Sequence, residues 1–235
     1  MELQNILFDD YTITLEQVME QFDDAGKEMY EDIVDELLED AADCIKPSAF
    51  YKQIPVRILS KEAVQLEDTQ FDSEYLAARL DSVDTAYAFE ATIGEELWNA
   101  RKTASDPLEE LLFDAIMKTC LDFVFEKTAA SIAAQLPDKM GLYMDNPGSL
   151  AGWDLADQHK FLNLLENNAP NQEHLTVSND SNLFETAYSL SGIIYAKGNE
   201  TANCTLCPKE ECSHRKNEFD GKALVTRLHE SSEGK

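Results

Sequence analysis

Basic residues are scarce in this chain: 19 Lys and Arg stand against 46 Asp and Glu, a formal net charge of −27. Such a surface repels phosphate backbones, and no basic cluster offsets it, so neither nucleic acid nor an anionic membrane is expected as a partner. No run approaches the roughly 18 apolar residues that a membrane span needs. The opening Met1-Glu-Leu-Gln-Asn lacks the basic and apolar regions of a secretory leader, which makes the cytoplasm the expected compartment. There is no Gly-x-Gly-x-x-Gly, no phosphate loop, no nucleophile elbow and no His-Glu-x-x-His, and the four histidines (His159, His174, His214, His229) are scattered. These absences remove the common dinucleotide, hydrolase and metalloprotease readings. What is present is a globular composition, 43% hydrophobic over 235 residues, enough to build a core. No internal repeat or low-complexity block interrupts it.

Thr14-Leu-Glu-Gln17 reads as a capping box. After it, Val18, Phe22, Ala25, Met29, Ile33, Leu37 and Ala41 recur at helical spacing, which predicts a helical lead-in over 1–45 with a break near Gly26 and a buried stripe on those residues. Ile54, Val56 and Ile58 alternate as in a strand, and 74–80 looks helical. Thr85–Ile93 reads as a mostly buried strand running into a helix start at Gly94-Glu-Glu. Asp106-Pro107-Leu-Glu109 joins an N-cap, a proline at the first helical position and an acid in the first turn, and opens a long apolar helix to about Leu136. A short strand at 141–144, a helix capped by Asp154, and strands at 175–177 and 191–196 complete the reading. The segments 85–93, 174–177 and 190–196 are expected to share one sheet. This irregular mixture favours α+β over a wound parallel sheet.

Five cysteines are present, three of them in Cys204-Thr-Leu-Cys207-Pro-Lys-Glu-Glu-Cys212-Ser-His214. In a reducing compartment such crowding points to metal. A Cys-x-x-Cys turn lets two thiolates share one ion, the third sulfur closes over it, and His214 is the nearest candidate for a fourth ligand. Zn²⁺ and an iron–sulfur cluster both suit thiolates; free or disulfide-prone thiols are the alternative. Cys44 and Cys120 lie in apolar helical contexts and read as small core residues. Asn146-Pro147-Gly148-Ser149 leads into the Asp154 helix, where backbone amides could receive an anion.

Four blocks, followed by the cysteine segment, resemble the activation-domain family of cobalamin-dependent methionine synthase and its free-standing corrinoid-pathway relatives. They are Ala91-Thr-Ile-Gly94-Glu-Glu, Asp106-Pro107-Leu with Asp114-Ala115, Pro147-Gly148-Ser149-Leu150 with Trp153 to Leu165, and Leu175-Thr176-Val-Ser178 with Tyr188-Ser189-Leu-Ser191-Gly192-Ile193. Together they span about residues 50–220. The resemblance implies a twisted, C-shaped α+β fold in one domain over 1–235, with 200–220 as a metal segment and 221–235 as a frayed tail. It implies a protein that assists reductive activation or methyl transfer on a corrinoid protein or corrinoid-dependent methyltransferase, or, as the alternative, a non-catalytic Zn²⁺-stabilised docking module for such a partner. The corrinoid would arrive on another chain, since this one has no Asp-x-His-x-x-Gly. In that family an Arg-x-x-x-Gly-Tyr segment centres the S-adenosylmethionine site, which carries over to Pro147, Gly148 and Ser149. Here Met144 stands at the Arg place, Ser149 at the Tyr place and Val177 at an acid place. Met cannot pair with a ligand carboxylate, so tight S-adenosylmethionine binding is not expected.

Overall fold

The computed structural model describes residues 3–6, 8, 11–136, 141–149, 152–166 and 175–197. A short strand β1 (Gln4–Ile6) precedes helices α1 (Leu15–Met19) and α2 (Asp24–Ala41). The long β2 (Ser48–Ser60), β3 (Ala63–Leu66), β4 (Thr69–Asp72), helix α3 (Glu74–Arg79) and β5 (Thr85–Thr92) follow. Then come α4 (Glu95–Arg101), α5 (Pro107–Ala133), β6 (Gly141–Asp145), α6 (Asp157–Glu166) and β7 (Ser189–Lys197). The described strands form one antiparallel sheet in the order β4-β3-β2-β5-β7-β6, with β1 pairing to β2. The expected α+β class is met.

Successive side chains of a strand point to opposite faces, and here both faces are covered. Tyr87, Phe89 and Ala91 of β5 join Val18, Val34, Leu37, Ile116 and Val124 beneath α1, α2, α4 and α5. Ala86 and Ala88 join Phe71, Leu76, Trp153, Phe161 and Tyr195 beneath α3 and α6. That double burial explains why β5 carries so little polar–apolar alternation. Pro55 sits where β2 leaves β5: Pro55 opposite Thr85 is the last of those pairs, and from Val56 onward the partner is β3. Lacking an N–H, proline tolerates such a change of partner.

The helix starts follow the capping chemistry. Thr14 and Gln17 form the capping box, and the Asp106 carboxylate accepts from Leu108 and Glu109 N–H at 2.8 and 2.9 Å. Helix α5 runs 27 residues unbroken. Its first half is buried around much of its circumference, through Leu112, Phe113, Ala115, Ile116, Met117 and Cys120. Its second half shows only the stripe Val124, Thr128, Ile132. Cys120 is in the core as expected; Cys44 is half-buried against the same cluster.

Two expectations need correction. The stripe of the N-terminal helices is not the one the spacing suggested: Val18, Leu37 and Ala41 are buried, but Met29 is 65% and Ile33 37% exposed. The chain breaks at Asp23, which caps α2 through Gly26 N–H at 2.8 Å, and α2 turns Val34, Leu37, Leu38 and Ala41 inward. Nor do residues 175–177 join β5 and β7, because both edges of β7 are taken, by β5 and by β6. The segment bonds to its own continuation instead. Val177 bridges Phe184, Glu185 N–H donates to the Thr176 carbonyl and Ser178 N–H to the Leu183 carbonyl, both at 2.9 Å. Residue 174 lies outside the described residues, as do 200–220 and 221–235.

Candidate functional site

Strand β6 delivers the loop singled out in the sequence. Its alternation sends Tyr143 and Asp145 to the α3/α6 face, while Met144, opposite Ile194 of β7, rests half-buried against the cluster on the α5 face. The Asp145 side chain is 1% exposed. Its Oδ1 accepts from the Tyr75 hydroxyl at 2.7 Å and its Oδ2 from the Tyr195 hydroxyl at 2.7 Å and from Arg79 Nε at 3.2 Å. Arg79, 4% exposed, lies with its guanidinium carbon 5.3–6.0 Å from the ring centres of Tyr143, Tyr195 and Tyr75. Burial works against the guanidinium charge, but Asp145, helped by Tyr195 and Tyr75, outweighs it and raises the group above its ordinary value. Burial and the Asp145 charge push the Tyr195 hydroxyl up in the same way. The pair is thus a satisfied buried ion pair at the root of the loop.

Residues Pro147, Gly148 and Ser149 form a tight turn above it. Gly148 sits at φ +78, and a β-carbon there would lie 2.7 Å from Leu155 Cδ1, so glycine is required twice over. The turn's amides are turned inward: Gly148 N–H donates to the Trp153 carbonyl at 2.9 Å and Ser149 N–H to the Asn146 carbonyl at 3.2 Å. At the entry to α6, Ala156 N–H donates to the Asp154 carboxylate at 2.8 Å, Asp157 N–H to the Asp154 carbonyl and Gln158 N–H to the Leu155 carbonyl. The amides of Gly148, Ser149, Ala156, Asp157 and Gln158 therefore already have partners within the chain. Burial raises the Asp157 carboxyl, against the pull of Lys160 and with help from Asp154 and Asp72.

The other sequence blocks gather at the adjoining end of β5 and β7. Buried Glu90 accepts from Leu175 N–H at 3.1 Å, the side chains of Gln158 and Ser191 bond in the interior, and Thr92 and Ser189 share a hydroxyl pair at 2.8 Å. On the α5 face, Arg101 clamps Asp114 with two bonds of 2.7 and 3.1 Å. Tyr188, held at φ 56, has its hydroxyl pushed up to about 12 by burial and by Asp114, with Arg101 opposing. The blocks, distant in sequence, meet as strand ends and loops around one corner of the sheet.

No family model and no curated protein matches the chain. Among solved structures, the MetH reactivation domain bound to AdoHcy matches with a TM-score of 0.55 at 11% identity, over 86% of this chain and 80% of that one. The fold is that of the MetH reactivation domain. The likeness spans both the antiparallel sheet and its flanking helices, as the sequence blocks implied.

The residues of this loop do not fit a carboxylate-bearing S-adenosyl ligand in the expected way. Between 141 and 158 there is no Lys, Arg or His, and Asp145, Asp154 and Asp157 are present. Met144 offers a thioether, and the Ser149 hydroxyl donates to the Asn146 carbonyl at 2.8 Å. Val177, at the acid place of the family pattern, is tied into its local bridge. Cys204, Cys207, Cys212 and His214 lie outside the described residues; among the described ones, no group of three or more His, Cys, Asp and Glu is arranged to hold a metal ion. No described helix is long and apolar enough to cross a membrane.

Sequence reasoning missed Arg79, Tyr75, Asp145 and Tyr195. They come from α3, β6 and β7: the antiparallel pairing of β6 with β7 sets Asp145 near Tyr195, and α3 brings Tyr75 and Arg79 onto the same face. The one local hint is an arginine in the apolar helical run Tyr75-Leu-Ala-Ala-Arg79-Leu80.

Proposed function

We propose that this chain is an accessory protein that docks on a corrinoid protein, or on a corrinoid-dependent methyltransferase, and assists its reductive activation or its methyl-transfer cycle. The observation that carries this reading is the fold match to the MetH reactivation domain over 86% of the chain. A net charge of −27 supports a partner with a basic face, because complementary fields speed encounter and fix orientation. The test uses a purified corrinoid protein in its oxidised, inactive form. Binding is followed by interferometry, and the return to the methylated state by absorbance, with titanium(III) citrate and a methyl donor present. Saturable binding and a faster return in the presence of the chain are expected. No binding together with an unchanged rate would overturn the proposal.

Within this reading, Cys204, Cys207 and Cys212 form the metal site, with His214 the nearest candidate for a fourth ligand. An iron–sulfur cluster there would supply low-potential electrons; Zn²⁺ would make the segment structural and the protein a docking module only. Cys207→Ser is expected to release the metal and to raise proteolysis within 200–220, since metal binding and local folding are coupled. Metal analysis of anaerobic preparations separates iron from zinc, and a metal-free wild-type protein removes the redox version.

A further inference from the structure

Helix α2 carries its charges against its own stability. Between Glu28 and Asp40 every charged residue is an Asp or a Glu, and all of them are exposed. Asp32/Glu36 and Glu36/Asp40 stand four residues apart, a spacing at which like charges repel across the helix surface. The last turn holds Glu39 and Asp40 and no base, where the helix dipole favours a cation. Among the described residues no Lys or Arg forms an ion pair with any of these acids, and no group of three or more is arranged to hold a metal ion.

The same surface is not wholly polar. Val34, Leu37, Leu38 and Ala41 turn to the core, which leaves Met29 and Ile33, one turn apart, facing outward. Met29 is the most exposed large apolar side chain among the described residues. Helical spacing continues that line through Glu36 and Asp40 and sets Asp32 beside it. Like charges at neighbouring positions, acids at the wrong helix end and a methionine in water break several local rules in one element. Such a concentration marks a surface that serves something outside the fold.

The charge decides what covers it. A second copy would set acid against acid, and an anionic lipid or a phosphate backbone would be repelled in the same way. A protein surface with Lys and Arg around an apolar centre matches both features. Its cations relieve the repulsion along α2, and its centre covers Ile33 and Met29, a side chain that adapts to the shape it meets.

We infer that the exposed face of α2, centred on Met29 and Ile33, is a docking surface for a partner protein that is basic around an apolar centre. Resting on the reading under Proposed function, that partner is the corrinoid-bearing one. The test follows binding of the full chain to the purified corrinoid protein by interferometry, at low and at physiological salt. In Asp32→Lys with Glu36→Lys, affinity is expected to fall about tenfold or more, chiefly in the association rate, and to lose part of its salt dependence. The same variant should melt about 1–3 °C higher, because like-charge neighbours are removed. Weaker binding with greater stability is no folding defect. Met29→Ser should weaken binding about tenfold through the dissociation rate.

Glu62→Lys with Asp68→Lys is the control. It makes the same change of charge on the turns after β2 and β3, where Val64, Leu66 and Phe71 pack into the other core, and should alter affinity less than about threefold. Equal losses in the two charge variants would reduce the effect to net charge and overturn the inference, as would unchanged binding in the α2 variant. A lower melting temperature there would overturn it too, since the acids would then serve the fold. A second probe is a synthetic helical peptide of Lys and Leu with its leucines on one face. If this peptide binds, and binds Met29→Ser more weakly, while the corrinoid protein does not bind, the reading under Proposed function fails and the docking face stands. If peptide binding is absent, or ignores Met29 and the α2 acids, the docking face falls.

Discussion

Asp145 accepts hydrogen bonds from two tyrosine hydroxyls and from one guanidinium N–H, with its side chain only 1% exposed. Removing one member of such a pair leaves the other charge buried and alone. Asp145→Ala is therefore expected to lower the unfolding free energy by about 3–5 kcal/mol in urea titration. Asp145→Asn, which keeps an acceptor for the tyrosines, should cost less; equal losses would show that shape rather than charge is at stake. Little of this was legible beforehand. The loop residues Pro147, Gly148 and Ser149 stand out in the sequence by their turn chemistry, whereas Arg79 and Asp145 are 66 residues apart and look like ordinary surface charges until the sheet closes.

Elements declare themselves where the signal is local. Thr14, Asp106 and the apolar runs of β5 and β7 could be read because caps and buried strands depend on neighbours in sequence. The β3–β4 hairpin could not: its turn is Glu67-Asp68, with Glu67 at φ 55, where glycine or asparagine is the usual marker. The stripe on α2 was misplaced because a break four residues long rotates the inward face. Between elements the tightest seam is at Gly192 of β7, where a β-carbon would lie 2.5 Å from the Asp145 carbonyl and 2.9 Å from Asn146 Cβ. Backbone cannot yield as a side-chain tip does, so Gly192→Ala should destabilise the protein by about 1–3 kcal/mol. It should also increase hydrogen exchange in β6 and the 146–149 turn. Unchanged exchange there would mean that the seam is slack.

At the scale of the molecule, 46 acidic against 19 basic residues produce self-repulsion that folding concentrates. Raising sodium chloride from about 0.01 M to 0.15 M shortens the screening length from about 30 Å to about 8 Å and should raise the melting temperature. A flat or falling profile would show that the acids are offset locally by pairs such as Arg101–Asp114. Fold class was legible because its signals are periodic and repeated along the chain. The site was not, because one corner of a sheet draws on elements that lie far apart in the chain.

The pairing of β5 also bears on how the protein is made. One edge of β5 meets β2 soon after both leave the ribosome, but the other waits for β7, and Thr92 is 97 residues from its partner Ser189. High contact order of this kind slows folding. For that interval a strand of alanines and aromatics stands with an open edge, a template for association with a second nascent chain. The acidic residues that surround it in sequence then act as gatekeepers, keeping like chains apart until the last strand closes the sheet.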